Sequence, residues 1–219
     1  MKQLVIFDLD GTLLNTIQDL GVAANYALES CGFPVHDISA YPSFVGNGVT
    51  RLLERVLPES ARNEENVTRL REYFMDYYDA HKADDTTIYD GINDLLAALT
   101  ERGVKLAVAS NKYHKAVVEL IKIYFPSIEW VAVEGQKPDF PIKPDPSIVF
   151  EIVSKFPTSK AQVLYVGDSG VDMETARRAC IESVGVTWGF RPEKELRDFY
   201  ANNIVNSPLE ILSIVDKEI

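Results

Sequence analysis

The stretch Leu4-Val5-Ile6-Phe7-Asp8-Leu9-Asp10-Gly11-Thr12 decides the fold. A short apolar, β-favouring run stops at Asp8, and Gly11 brings turn chemistry directly after it. This pattern predicts a buried strand that enters a polar loop. Similar runs occur at 104–109, 163–166 and 183–187, with a weaker fifth at 130–133. Between them lie amphipathic patterns at 92–99, 114–123, 147–156 and 173–180, and Gly103 stands where a helix C-cap is expected. Strands alternating with helices imply crossover connections and a parallel sheet covered on both faces. The predicted core is therefore α/β, a doubly wound, Rossmann-like sheet.

One segment breaks the alternation. Residues 16–82 carry helical patterns at 17–31, 45–57 and 67–81 and no convincing strand, with Gly32 and Pro58 as stop signals. An α-helical insert between the first strand and the rest of the sheet accounts for this, giving a core of 1–15 plus 83–219 and an insert of 16–82.

Composition narrows the function classes. With 219 residues, 46% of them hydrophobic and 25% charged, the chain has material for a large core or a core with an insert. A formal charge of -11 disfavours nonspecific binding to nucleic acid or to an anionic membrane surface. It also repels phosphate esters, so a phosphate site here requires a metal ion or a positioned lysine. Cys31 and Cys180 lack the spacing of a disulfide framework or a zinc site and read as buried free thiols. No apolar run is long enough to span a bilayer, and the chain reads as cytoplasmic.

In an open parallel sheet, ligands bind beyond the carboxyl ends of the strands. Those ends deliver Asp8, Asp10, Gly11 and Thr12, then Ser110, Asn111 and Lys112, then Gly167, Asp168, Ser169 and, one helical turn on, Asp172. Side chains two apart on an extended segment point the same way, with Cα atoms roughly 6–7 Å apart, so Asp8 and Asp10 can address one bound group. Ser110 and Asn111 are donors of the type that hold phosphate oxygens. Lys143, before Pro144, can neutralise a phosphate, and Asp168 and Asp172 are hard oxygen ligands suited to magnesium, though Asp168 also fits a helix N-cap.

This ordered set, Asp8-Leu9-Asp10-Gly11-Thr12, Ser110-Asn111, Lys143-Pro144 and Gly167-Asp168-Ser169-Gly170-Val171-Asp172, resembles the haloacid dehalogenase-like phosphohydrolases. The resemblance runs from the first strand to Asp172, and the helical insert matches that family's cap domain. It implies a phosphoric monoester hydrolase that uses Mg2+, with Asp8 as nucleophile and Asp10 as general acid and base. It further implies Ser110, Asn111 and Lys143 as phosphate binders, supported by Thr12. The metal would be held by Asp8, the Asp10 carbonyl and Asp168, with Asp172 in the outer shell or acting through water. The turn Gly46-Asn47-Gly48 with Arg51 resembles the cap segment of phosphoglycolate phosphatase-like members, which makes Asn47 and Arg51 candidates for substrate contact. The implied partner is a small phosphorylated metabolite. A sugar-phosphate mutase, a pyrophosphatase or a nucleotidase of the same family stays open. A noncatalytic phospho-acceptor module is disfavoured by the large insert.

Overall fold

The computed structural model describes residues 1–217. A six-stranded parallel sheet is built from β1 (Leu4–Phe7), β4 (Lys105–Tyr113), β5 (Trp130–Gln136), β6 (Val163–Gly167), β7 (Glu182–Val186) and β8 (Asn203–Val205), in the order β5-β4-β1-β6-β7-β8. β2 (Leu14–Asn15) and β3 (Thr87–Ile88) pair antiparallel as a separate two-stranded ribbon. The order runs outward on both sides of β1, so the topological switch lies at that strand.

Helices α4 (Ile92–Glu101), α5 (His114–Tyr124), α6 (Ser147–Lys155), α7 (Gly170–Ala179), α8 (Glu193–Asp198) and α9 (Glu210–Val215) accompany the sheet. Strand side chains alternate between two apolar clusters. Val5, Phe7, Val108 and Val166 pack with α4 residues Leu95 and Leu99, while Leu4, Ile6, Ala107 and Tyr165 pack with α6 residues Val149 and Ile152. The sheet is thereby covered on both faces, which is why β1 carries no polar alternation. None of the helices among the described residues is long and apolar enough to cross a membrane.

The segment between β2 and β3 holds α1 (Ile17–Ser30), α2 (Gly48–Val56) and α3 (Glu64–His81). These close a third apolar cluster of their own, with Leu20, Leu28, Tyr41, Leu53, Phe74 and Tyr78 at its centre. Asp19 ties the start of this insert to its end: its carboxylate accepts from the backbone N–H of Asp85 and Thr86 at 2.9 Å each and from the Thr86 hydroxyl at 2.7 Å.

Several sequence expectations need correction. The strand expected to end at Ala109 continues to Tyr113, so Ser110, Asn111 and Lys112 lie on its irregular extension, where the register with β5 shifts. β8 is too short, at three residues flanked by asparagines, to announce itself, and β2 and β3 have two residues each. Helix α2 begins at Gly48, after a 3-10 turn over Ile38–Ser43. Helix α7 begins at Gly170, with Ser169 and not Asp168 as its N-cap, in a reciprocal capping box with Asp172. Both cysteines are free, but neither is buried. Cys180 takes the left-handed C-cap position of α7, with φ 58°, and faces solvent.

Candidate active site

Register brings the motifs together. Phe7 stands opposite Val108 on one side and Val166 on the other, so Asp8, one residue on, lies beside the starts of Ser110-Asn111-Lys112 and Gly167-Asp168. The Asp8 N–H donates to the Val166 carbonyl at 2.9 Å. Asp8 Oδ1 accepts from the Leu9 N–H at 2.7 Å and lies 3.0 Å from Lys143 Nζ. Oδ2 has no hydrogen-bond donor among the described residues, which leaves it as the oxygen available to a ligand.

Lys143 is 2% exposed and its ammonium is shared among Asp8, Asp172 Oδ1 at 2.7 Å and the Ala109 carbonyl at 2.9 Å. Burial works against its charge, but Asp172 and then Asp8 outweigh that and hold its pKa well above the usual lysine range. Asp172 is fully buried and also accepts from the Ser169 hydroxyl at 2.6 Å. It therefore orients the lysine.

Asp8, Asp168 and Asp172 can each place an oxygen within 4.8 Å of the others. Burial, and then the charge of Asp172, push the Asp8 carboxyl up to about 7 against the opposing charge of Lys143. Burial, Asp172 and Asp8 likewise raise Asp168 well above the carboxylate range. Asp168 is 3% exposed and its only hydrogen bond is the Phe190 N–H at 2.7 Å, with no ion-pair partner among the described residues. A buried carboxylate without a cation beside two others is the donor set that a hard divalent cation fits.

Asp10 is held differently. Both its carboxylate oxygens face Lys112 Nζ, at 2.9 and 3.0 Å, and the Thr16 hydroxyl donates to Oδ1 at 2.7 Å. The ammonium of Lys112 also sits 4.9 Å from the Tyr78 ring centroid, linking this pair to the helical insert.

The remaining expected residues divide. Ser110 and Asn111 both line the cavity over Asp8, but the Asn111 side chain is spent on backbone, donating to the Gly46 and Lys143 carbonyls and accepting from the Lys143 N–H. The Thr12 hydroxyl is buried with no partner among the described residues. Asn47 accepts from Arg55 at 2.7 Å. Arg51 pairs with Glu54 and faces a separate recess of the insert, not the cavity over Asp8.

The cavity over Asp8 and Asp10 is small, about 50 Å³, room for only a few waters. Its wall includes Val45, Gly46, Gly48, Leu52 and Tyr78 from the insert and Asp168, Phe190 and Arg191 from the core. Phe190 and Arg191 went unremarked in the sequence, although they follow β7 at the same carboxyl edge and the switch-point rule points there. This loop is tightly fitted: the Trp188 indole N–H donates to the Thr12 carbonyl at 3.1 Å. A Cβ on Gly189 would meet Asp168 Cβ at 2.3 Å and the Gly11 carbonyl at 2.4 Å. Gly189→Ala is expected to cost about 1–3 kcal/mol by overpacking and to lower turnover by displacing Asp168. Thermal unfolding and a turnover assay on the variant check both effects.

The haloacid dehalogenase-like hydrolase family model matches residues 5–186. The chain belongs to that family. It is 30% identical over 219 residues to a phosphoglycolate phosphatase of Mannheimia succiniciproducens, covering 97% of this chain and 98% of the relative. It is 33% identical over 199 residues to one of Pseudomonas putida, covering 87% and 71%. A solved structure from Lactobacillus delbrueckii subsp. bulgaricus superposes with TM-score 0.93 at 32% identity, covering all of both chains. A predicted phosphoglycolate phosphatase from Haemophilus somnus superposes with TM-score 0.90 at 27% identity, covering 98% of each. The doubly wound core with a helical insert is thus the family fold, and this family member is a hydrolase. The expected enzyme class, a phosphoric monoester hydrolase, agrees with the names these relatives carry.

Proposed function

We propose that this hydrolase is a magnesium-dependent phosphatase that cleaves a small phosphate monoester of the phosphoglycolate type through an aspartyl phosphate on Asp8. The observation that carries the reading is Asp8 at the cavity floor, with one oxygen on Lys143 and the other free beside Asp168. Residues 16–82 serve as the cap over a core of 1–15 and 83–219. The enzyme acts in the cytoplasm, where unpaired thiols such as Cys31 and Cys180 persist.

Asp8 Oδ2 forms the new bond to phosphorus as the ester P–O bond breaks. Lys143 balances charge on the attacking carboxylate, and the Ser110 hydroxyl donates to a phosphoryl oxygen. Asp10 gives the leaving oxygen its proton and then takes one from the water that cleaves the aspartyl phosphate. Asp8, the Asp10 carbonyl and Asp168 would hold Mg2+, which would supply charge neutralisation for the phosphoryl group. Asn111 shapes the site by bracing the Lys143 backbone, and Thr12 supports the nucleophile loop.

The test is phosphate release over a panel of small acid, sugar and nucleotide monoesters and pyrophosphate. The expected result is turnover that favours phosphoglycolate, stops on chelation and returns with Mg2+. Undiminished release in the presence of excess chelator overturns the metal assignment, and preferential turnover of pyrophosphate or nucleotides moves the substrate to another member of the class.

A further inference from the structure

Three cationic side chains reach this site, and two of them are already matched by carboxylates. Lys143 is shared between Asp8 and Asp172, and Lys112 is bound by both oxygens of Asp10. The third is Arg191, which lines the cavity and whose side chain is only 15% exposed. Its hydrogen bonds go to neutral groups: Nη1 donates to the Pro42 carbonyl, and Nη2 to the Val45 carbonyl at 2.7 Å. Its nearest carboxylate, Glu195, stands 3.6 Å from Nε and also accepts from the Gly170 N–H at 2.9 Å. Arg191 is therefore the least closely paired cation facing the cavity among the described residues.

Its terminal nitrogens engage the insert and not the groups assigned to the phosphoryl end. In the phosphatase reading the phosphoryl group is held by Asp8, Ser110 and Lys143, whereas Arg191 bonds the 42–45 segment of the insert, whose Val45 also lines the cavity. A leaving group that extends from the floor toward the insert runs toward this guanidinium. Arginine has five N–H donors in a planar fork that suits a carboxylate. Two are spent on the insert carbonyls, which leaves one further N–H on each terminal nitrogen. Nearby Arg55, bonded to the Phe44 carbonyl and to Asn47, has its pKa lowered by burial first and then by the charge of Arg191. Both guanidinium groups thus grip one short segment, and an anion beside them relieves their mutual repulsion.

We propose that Arg191 is a specificity-determining residue that selects monoesters whose leaving group carries a carboxylate. This rests on the phosphatase reading of the site and names the residue that reads the far end of the substrate. Arg191 then joins substrate to cap: the same side chain holds the 42–45 segment and the acid.

The test compares wild type, Arg191→Lys and Arg191→Met with two pairs of probes. Turnover is measured on phosphoglycolate and on ethyl phosphate, which lacks the carboxylate. Binding is measured calorimetrically with the non-hydrolysable isosteres phosphonopropionate and propylphosphonate, so the readout does not depend on catalysis. In Arg191→Met the ratio of kcat/KM for phosphoglycolate to that for ethyl phosphate should fall by about tenfold to a hundredfold, as loss of a charge-assisted hydrogen bond predicts. The preference for phosphonopropionate over propylphosphonate should fall in parallel, and Arg191→Lys should lie between. Equal losses on both members of each pair would mean that Arg191 only fastens the cap, and would overturn the proposal. A wild-type enzyme that hydrolyses no monoester overturns the phosphatase reading as well, so the two failures are distinguishable.

Discussion

Asp8→Asn is expected to lower turnover by at least about a thousandfold while leaving the chain folded. The amide matches the carboxylate in shape but is a far weaker nucleophile. The residual rate reports what positioning and Lys143 accomplish alone. Stability should move the other way. In chelator-treated protein, burial and Asp172 raise Asp8 from 3.8 to about 7, so the folded state binds this proton more tightly than the unfolded chain does. A raised carboxyl pKa makes folding progressively less favourable as pH rises from about 4 to about 7, after which the penalty is constant. Asp8→Asn lacks that slope. Its stability advantage over wild type should therefore widen across this interval in denaturant titrations at several pH values. Equal pH dependence in the two proteins would contradict the burial argument, and comparable turnover would contradict the nucleophile assignment.

Lys143→Met should be the most damaging single change to the fold at this site. Methionine fills the volume of the lysine stem, but Asp8 and Asp172 lose the ammonium that lies 3.0 and 2.7 Å from them. Removing one partner of a buried ion pair costs about 3–5 kcal/mol, because the remaining charge is left uncompensated. Turnover should fall with it. The deficit should shrink as pH falls toward about 7, because Asp8, without the lysine that holds its pKa down, takes up its proton above that value. Adding Asp172→Asn to Lys143→Met should recover part of the stability and none of the activity, since the first term is charge balance and the second is the missing cation. Urea titrations of both variants at two pH values separate the terms. No recovery in the double variant would show that packing, not charge, explains the loss.

Much of this arrangement was legible in the residues. The apolar run before Asp8, the glycine after it, and polar motifs following further runs already placed three segments at one sheet edge. Local signals failed where elements were short or irregular. Asn203–Val205 has too few residues for a period, and the extension of β4 through Ser110 reads as loop because polar residues replace the apolar run. Within the insert, Arg51, a candidate for substrate contact, lies against Glu54 and lines a recess apart from the cavity over Asp8. Its guanidinium is long, and whether it reaches the cavity or Glu54 depends on how α2 is rotated, which a helical pattern over nine residues leaves open.

The amino-acid order by itself determined the α/β class, the helical insert and the acids that meet at Asp8. These follow from periodicity, turn chemistry and motif spacing, all of which act over a few residues. Tertiary structure alone decided the charge partners: Asp172 with Lys143, Lys112 with Asp10, and Arg191 with the carbonyls of Pro42 and Val45. Those choices join residues up to 149 positions apart. They depend on strand register and on how completely packing strips water from each charge, and Coulomb attraction changes too steeply with both for a linear pattern to predict its pairings.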